Sequence, residues 1–313
     1  MSEMITREGG HSLQATQALT EEMYARFIAY LDAKPRTVET YTRAIRQFFS
    51  YLSLKGITHP RREDVLAFRD ELKASGHKPT TIQNYIMATR LFFQWLERER
   101  LYPNVADKIK GAKIDTAHKK DYLTSKQIKA VLDSIDRSSP QGQRDYAMMV
   151  LMVTGGLRTI EVANADIGDL RTAGDNTVLY VRGKGRDEKT DYIKLDAKVE
   201  GILRGYLKAR GVADQAAPLF PSMSNNSKGG RMTTRAISGI VKGCLQEAGY
   251  NSDKLTAHSL RHTAVTLSIL AGKDLAEVQQ FARHANIATT MIYNHAVDKA
   301  KNGCSEAIAK AIF

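Results

Sequence analysis

The sequence has little cysteine, no long apolar run and a deficit of acidic residues. Its two cysteines, Cys244 and Cys304, form no CxxC pair, so a disulfide framework is excluded and a reducing compartment is indicated. The longest apolar stretch, residues 147–153, is far too short to cross a bilayer, and the first residues contain no apolar run typical of a signal peptide. These absences predict a soluble, cytoplasmic protein without a membrane partner.

Basic residues are in excess along the whole chain. Lysine and arginine number 46 against 34 aspartates and glutamates, which gives a formal net charge of +12 and an isoelectric point near 9.5. Because the surplus is spread over 313 residues and is not confined to one tail, it favours a polyanionic partner such as nucleic acid. A protein that is merely basic and soluble is the alternative. The length suits one large or two modest domains.

The first third of the chain has the apolar spacing of packed helices. After a polar tail, residues 1–19, apolar residues recur at helical intervals, so residues 20–113 are predicted to form a helical domain. Residues 34–52 are repeated at residues 78–96, with nine identities in nineteen positions. Each copy begins with Lys-Pro and a threonine cap, and the second copy has a predicted capping box from Thr80 to Gln83. The Phe-Phe pair in each copy is predicted to lie in the core.

The starts of the two repeated helices combine cations, hydroxyls and unpaired backbone N–H groups. Helix N-termini of this composition bind phosphate well, because the amides and the helix dipole both favour an anion. A solvated, capped helix start is the alternative. The candidate phosphate-binding residues at these starts are Lys34, Arg36, Thr37, Lys78, Thr80 and Thr81.

Residues 114–120 are predicted to link two domains. They belong to a lysine-rich stretch, residues 108–120, that has no apolar periodicity. The second domain is predicted to span residues 121–313 and to open with a capping box from Thr124 to Gln127. Residues 177–195 alternate as two strands around the turn-rich segment GKGRDEKT, which predicts a β-hairpin.

The most informative stretch is residues 256–295, where two histidines, an arginine and a tyrosine occur at intervals that helix packing does not require. His258 and Arg261 are three residues apart, which places both on one face of a helix, where they could contact one ligand. His284 follows the next predicted helix, and Tyr293 comes nine residues later. A tyrosine that only packs in the core is the alternative for Tyr293.

The segments HSLRH and RHANIATTMIYNH resemble the tyrosine recombinase (phage integrase) family. The resemblance implies an upstream arginine and a lysine on a hairpin, and the chain offers both. Arg158 and Glu161 lie in the segment GGLRTIEV, where the family keeps a catalytic arginine and the acid that orients it. Lys184 lies in the predicted hairpin between two glycines, and Lys189 is the alternative lysine.

The resemblance also implies the fold and the assembly. Two domains are expected: an all-α N-terminal core-binding (SAM-like) domain, and a mainly α C-terminal catalytic domain with a small β-sheet or hairpin. No arm-binding domain is expected. The two domains are expected to clamp double-stranded DNA, and a homo-oligomer, a tetramer on two DNA sites, is the expected active form. Accessory DNA-bending or directionality proteins are further expected partners, and the C-terminal tail caps its own domain or docks on a neighbouring protomer.

The chemistry implied by the family is cleavage and rejoining of DNA through a 3′-phosphotyrosine, with Tyr293 as the nucleophile. Arg158 and Arg261 suit the non-bridging phosphate oxygens, because a guanidinium binds them bidentately and keeps its charge. His258 is the predicted proton acceptor for Tyr293, and His284 is predicted to hydrogen-bond the phosphate. No metal, cofactor or ATP is expected.

Further residues are assigned by their position. Lys184 is the implied acid for the leaving 5′ oxygen. Arg231, Thr234 and Arg235 lie at another helix start and are candidate phosphate contacts. Where the family often has Leu-Gly before its second histidine, this chain has Ala-Arg, so Arg283 is predicted to place an extra cation near the DNA.

Other functions remain open from the sequence. His258 and His262 have the i, i+4 spacing of a zinc pair, although the glutamate of HExxH is absent. A relative that binds DNA without cutting it and a relaxing topoisomerase are two further alternatives. Within recombination, the integration and excision of a mobile element is the predicted role. Resolution of chromosome or plasmid dimers by an Xer-like enzyme is the alternative.

Overall fold

The structure is a computed structural model that describes residues 18–114, 121–183, 188–301 and 303–313. The chain divides into two compact units, Met1–Thr116 and Ala117–Phe313. Most of the predicted tail and linker lies outside the described residues, as does Lys184. No helix among the described residues is long and apolar enough to cross a membrane.

The first unit is built from α-helices. These are α1 Glu21–Tyr30, α2 Pro35–Leu54, α3 Arg62–Ala74 and α4 Pro79–Arg98. α2 and α4, which contain the repeated sequence, are both 20 residues long and pack side by side. Tyr41 contacts Met87 and Phe49 contacts Phe92, so the two helices run in the same direction. Their N-termini therefore lie at the same end of the unit.

The starts of α2 and α4 differ from the predicted caps. Each helix begins at a proline, Pro35 or Pro79, and the lysine before it occupies the N-cap without a side-chain capping bond. Proline suits the first helical position because its φ is already helical and it has no N–H to satisfy. The predicted capping box from Thr80 to Gln83 is therefore wrong, since Thr80 lies inside the first turn.

Aromatic rings fill the core of the first unit. Phe48 and Phe93 are fully buried, and their ring centroids lie 5.9 Å apart in an edge-to-face arrangement. Phe92 is also fully buried, with its centroid 5.2 Å from that of Phe27 and 6.2 Å from that of Trp95. Burial of each such side chain stabilises the unit by ~1.5–3 kcal/mol, and each ring pair adds ~0.5–1.5 kcal/mol. The core position predicted for Phe48, Phe92 and Phe93 is confirmed, whereas Phe49 is only half-buried and packs against this core.

The second unit is mainly α-helical. The elements before its sheet are α5 Ser125–Asp133, α6 Pro140–Thr154, α7 Thr159–Ala163 and a 3-10 turn, Ile167–Asp169. The elements after the sheet are α8 Ala197–Arg210, α9 Thr234–Glu247, α10 Ala257–Leu270, α11 Leu275–Ala282, α12 Ile287–Lys301 and α13 Cys304–Ile312. Residues 147–153 of α6 are all buried, and α6 packs against α8 and α10. The capping box predicted from Thr124 to Gln127 is confirmed at the start of α5.

A small antiparallel sheet has the strand order β1 Leu170–Ala173, β2 Asn176–Val181, β3 Asp191–Lys194. Leu179 pairs with Ile193 and both are buried, whereas Tyr180 pairs with Tyr192 on the other face. This alternation has the two-residue period of a sheet that packs on one side. The sequence predicted β2 and β3 but missed β1, which has no fully buried residue to produce the pattern.

Candidate active site

Three consecutive helices of the second unit bring predicted site residues together. α10 carries His258 and Arg261, α11 ends two residues before His284, and α12 carries Tyr293. The three helices pack against one another. The ring of Tyr293 is nearly parallel to that of His284, with 6.0 Å between the centroids.

His262 lies between two of the predicted residues, and sequence reasoning did not assign it to the recombinase site. Its ring centroid is 4.8 Å from that of His258 and 4.9 Å from that of Tyr293. The spacing of His258 and His262, one helical turn apart, places both rings on one face of a helix and could have indicated this position. The same spacing is also typical of a zinc pair. Within the described ranges, no group of three or more His, Cys, Asp or Glu side chains could hold a metal ion.

Tyr293 is buried, with 6% of its surface exposed. Burial raises the pKa of its hydroxyl, and the charges of Arg261 and Arg158 oppose this rise. At neutral pH the hydroxyl is therefore protonated in the free protein and needs a proton acceptor before it can attack. Because the charges of the two arginines lower the pKa of this hydroxyl, both cations can stabilise negative charge that develops on the phenolic oxygen.

Arg261 is almost completely buried, at 1% exposure. Its Nη1 donates to the carbonyl oxygen of Gly156 at 2.6 Å, and its Nη2 donates to the carbonyl oxygen of Ala282. Burial, followed by the charges of Arg158 and Arg283, lowers its pKa to about 9, so the guanidinium is still charged at neutral pH. Gly156 has φ +56°, and a Cβ there would lie 3.1 Å from an aromatic ring of α11, so glycine suits this close approach.

Arg158 occupies the N-cap of α7 and forms an ion pair with Glu161. Its Nη1 donates to Oε1 of Glu161, and its backbone N–H donates to Oε2, both at 2.8 Å. The Glu161 side chain is completely buried, whereas the Arg158 side chain is 24% exposed. The buried carboxylate thus fixes a guanidinium that is still accessible from outside.

Arg283, predicted to place an extra cation near the DNA, is bound to Glu161. Its side chain is only 7% exposed and turns inward, with Nη2 3.0 Å from Oε2 of Glu161. Burial alone would raise the pKa of Glu161, but Arg283 and Arg158 overcome this and hold it below its usual range. Two arginines therefore share one ionised, buried carboxylate.

His284 is held by a hydroxyl of α12. Its Nδ1 lies 2.9 Å from Oγ1 of Thr290, which is fully buried. Burial, and then the charges of Arg261 and Arg158, lower the pKa of His284 to about 4, so the ring is neutral at pH 7. When the Thr290 hydroxyl donates to Nδ1, the ring proton lies on Nε2 and can be donated to a ligand.

Two cavities meet at Arg158. The first, of about 530 Å³, is lined by Arg158, Gly183 and His284, among others. The second, of about 500 Å³, is lined by Arg158, His258 and the start of α10. Gly183 directly precedes Lys184, which lies outside the described residues.

Lys189, the alternative hairpin lysine, is held by carboxylates. Its Nζ lies 2.6 Å from Asp166 and 2.5 Å from Asp169. Lys189 is therefore engaged in two ion pairs within the protein. Arg231, a predicted phosphate contact, also binds Asp166, and its Nη1 donates to the carbonyl oxygen of Ala163 at 2.9 Å. The Arg231 side chain is still 38% exposed, so its predicted phosphate contact stays a prediction.

The remaining predicted DNA contacts lie at helix starts. Thr234 and Arg235 form the first turn of α9, which the Thr233 side chain caps. Arg36 pairs on the surface with Glu39, at 2.9 Å. The residues at the starts of α2 and α4 are Lys34, Arg36, Thr37, Lys78, Thr80 and Thr81.

Known proteins with similar sequences and folds are recombinases. The family model "Phage integrase family" matches residues 121–300, and that of the phage integrase N-terminal SAM-like domain matches residues 24–100. The chain is 32% identical over 267 residues to the tyrosine recombinase XerC of Actinobacillus pleuropneumoniae serotype 7 (strain AP76), a match that covers 84% of each protein. It is 29% identical over 285 residues to the XerC of Herpetosiphon aurantiacus, which covers 88% of this chain and 90% of that protein.

The fold is also similar to that of a solved structure. The crystal structure of the XerH site-specific recombinase bound to a palindromic difH substrate, a post-cleavage complex, matches with a TM-score of 0.72 and 21% sequence identity. The match covers 95% of this chain and 92% of that chain. The predicted fold class, a helical SAM-like domain followed by a mainly α catalytic domain with a small sheet, is confirmed.

The chain therefore belongs to the phage integrase family. It is a site-specific tyrosine recombinase, an enzyme that cleaves and rejoins DNA through a tyrosine intermediate.

Proposed function

We propose that Tyr293 is the nucleophile of this recombinase. The proposal rests on the surroundings of this buried tyrosine. The charges of Arg261 and Arg158 act to lower the pKa of its hydroxyl, and its ring lies beside that of His284. A tyrosine that only packed in a core would need no such cations. In the reaction the phenolic oxygen attacks the phosphorus, a phosphoester forms between Tyr293 and the 3′ side, and the 5′ oxygen leaves as a hydroxyl after accepting a proton.

Arg158 and Arg261 are the proposed ligands of the scissile phosphate. Both guanidiniums are held in fixed positions, Arg158 by Glu161 and Arg261 by main-chain carbonyl oxygens. Cations that are fixed before the reaction stabilise the developing negative charge without reorganising. Glu161 acts by orienting Arg158, since its carboxylate is completely buried and does not reach the substrate.

The histidines are proposed to handle protons. His284, neutral and with its Nδ1 engaged by Thr290, donates a hydrogen bond from Nε2 to a phosphate oxygen. His258 is the proposed acceptor of the Tyr293 proton. His262, whose ring lies between those of His258 and Tyr293, is a second candidate for that proton. Comparison of the pH–rate profiles of His258→Gln and His262→Gln assigns the role. The part of the profile that reports the general base should disappear only in the variant that lacks this base.

Lys184 is the proposed acid for the leaving 5′ oxygen. The proposal is supported by Gly183, the residue before it, which lines the same cavity as Arg158 and His284. The competing lysine, Lys189, is bound by two carboxylates. A cationic amine near the leaving oxygen supplies both a proton and electrostatic stabilisation.

The experiment that tests the nucleophile is Tyr293→Phe, which keeps the ring and removes the attacking oxygen. The probe is a duplex selected from a random double-stranded pool by binding to the full-length chain, here termed the selected duplex. The parent should form a denaturant-resistant protein–DNA complex at the 3′ phosphate in the presence of EDTA, and Tyr293→Phe should bind equally well but form none. Tyr206→Phe is the matched control, because Tyr206 is equally buried, at 6% exposure, and lies on α8. A covalent complex with Tyr293→Phe would move the nucleophile to another tyrosine.

Phosphate contacts outside the catalytic cluster are proposed at helix starts, where backbone amides favour anions. A basic chain with a net charge of +12 supports such contacts. Replacing a contact should weaken binding about equally for all sequences and reduce its salt dependence. The proposed positions are Lys34, Arg36, Thr37, Lys78, Thr80, Thr81, Arg231, Thr234 and Arg235.

The finer role that we propose is integration and excision of a mobile element in the cytoplasm, by a homo-oligomer that pairs two DNA sites as a tetramer with accessory proteins. Dimer resolution is the alternative, and the name XerC of two relatives favours it. Recombination between the selected duplex on a plasmid and a library of random duplexes separates the two. Joints with partners of different sequence support integration, and joints only with a second copy of the selected duplex support dimer resolution.

A further inference from the structure

The backbone of Arg283 adopts a conformation that side chains disfavour. The residue directly follows α11 and has φ 52° and ψ 46°, in the left-handed region. Within the described ranges, Arg100 and Lys108 are the other non-glycine residues with positive φ. Because a Cβ is disfavoured there, the side chain of Arg283 must make contacts that offset the strain.

Those contacts lead into the interior of the second unit. Nη1 donates to the carbonyl oxygen of Phe281 at 2.8 Å, and Nη2 donates to the carbonyl oxygen of Gly156 at 3.1 Å. Nη2 also lies 3.0 Å from Oε2 of Glu161. The guanidinium is therefore a fixed, buried cation, and its charge partner is Glu161.

The charges around the proposed phosphate site can be counted. Glu161 contacts both Arg158 and Arg283, whereas Arg261 donates to main-chain carbonyl oxygens. Three arginines against one glutamate leave two net positive charges, and removal of Arg283 leaves one. The reaction concentrates negative charge on the non-bridging oxygens, so the number of uncompensated cations bears directly on its rate.

We propose that Arg283 is a positioning residue: it balances the charge of Glu161, so that the charge of Arg158 remains available to the scissile phosphate. An isolated Arg158–Glu161 pair would be close to neutral and would attract an anion weakly. With Arg283 on the same carboxylate, Arg158 keeps both its 2.8 Å bonds to Glu161 and its effective charge. The inference rests on the proposed role of Arg158 as a phosphate ligand.

The backbone and the side chain of residue 283 act on Arg158 separately. Nη2 of Arg158 donates to the carbonyl oxygen of Arg283 at 3.2 Å, a contact that any residue retains. Arg283→Gly keeps this contact and suits the left-handed backbone, so it removes the side chain alone. Arg283→Lys keeps a charge without the planar fork, and Arg283→Gln keeps hydrogen-bond donors without a charge.

A matched control comes from the first unit. Arg100 has the same residue type and the same left-handed backbone, with φ 56°, and is exposed. Arg100→Gly therefore repeats the backbone effect of Arg283→Gly far along the chain from Glu161. Thermal unfolding of all variants verifies that they fold.

The test measures two quantities for each full-length variant on the selected duplex: the Kd, and the single-turnover rate of covalent complex formation. The Kd should change by less than about threefold in Arg283→Gly and Arg283→Gln. The rate of covalent complex formation should fall ~10–100-fold in both variants, as expected when a fixed charge near the reacting phosphate is lost or a group that contacts it is slightly displaced. Arg283→Lys should be about tenfold faster than Arg283→Gln. Arg100→Gly should match the parent in both quantities.

Two results would overturn the proposal. Arg283→Gly cleaving at the parent rate would remove any role for the side chain, and equal rates for the lysine and glutamine variants would mean that packing, not charge, is what Arg283 supplies. A further variant, Arg158→Lys, shows whether the error lies in the role of Arg283 or in the assignment of Arg158. If Arg158→Lys cleaves at the parent rate, the assignment of Arg158 as a phosphate ligand is wrong. If Arg158→Lys is slow while the Arg283 variants cleave at the parent rate, the role of Arg283 is refuted and that of Arg158 stands.

Discussion

Acidification should destabilise the second unit through His284. The ring is 9% exposed, its Nδ1 is engaged by Thr290, and its pKa is lowered to about 4 by burial and by the charges of Arg261 and Arg158. In the unfolded chain the same ring should titrate near ~6.5. Between these two values the unfolded state holds a proton that the folded state does not.

The sign and size of the effect follow from this difference. Because the unfolded state binds more protons in this window, the free energy of unfolding rises with pH and falls as the pH is lowered through ~6.5. With a folded pKa of about 4, His284 alone should remove about 2 kcal/mol between pH 7 and pH 5, and about 3 kcal/mol once the pH approaches the folded pKa.

The assay is urea unfolding of the full-length chain without DNA, followed by circular dichroism at pH 7 and pH 5. His284→Gln is the reference, since the amide can still bond to Thr290 but does not titrate in this range. All other titrating groups are common to both proteins and cancel in the comparison. Identical pH dependence for the two proteins would refute the reasoning, as would an imidazole of His284 that titrates near pH 6.5 by NMR.

The other predictions concern the buried carboxylate and the hairpin lysines. Glu161→Gln should lower the free energy of unfolding by about 3 kcal/mol in urea, because it leaves Arg158 and the buried Arg283 without a counter-charge. A loss below ~1 kcal/mol would contradict the pairing. Lys184→Ala should cleave ordinary DNA poorly but recover on a substrate with a 5′-bridging sulfur, which leaves without a proton. Lys189→Met, which breaks the bond to Asp166, should lower stability and show no such recovery; recovery in this variant instead would reassign the acid.

Local sequence patterns predicted much of the helical structure and the order of the site residues. Aromatic residues at helical spacing predicted the core of the first unit because burial depends on which face of a helix they occupy. The histidine, arginine and tyrosine of residues 256–295 were found because α10, α11 and α12 are consecutive in the chain and pack against one another.

The features that the sequence did not predict depend on partners distant in the chain. Arg283 was expected to place an extra cation near the DNA, but the sequence did not show its charge partner, Glu161, which lies on α7, more than a hundred residues earlier. Arg231 was expected to contact phosphate, but the sequence did not show that it pairs with Asp166. No local pattern encodes such pairs, because a cation at a helix end looks the same in sequence whether it points outward or inward.

The aromatic core of the first unit has a practical consequence for spectroscopy. Trp95 is the single tryptophan of the chain, and it packs beside Phe27 and Phe92. Its fluorescence therefore follows the unfolding of the first unit, whereas ellipticity follows the helices of both units. The emission of Trp95 thus acts as a built-in reporter that assigns a denaturation transition to one half of an undivided molecule.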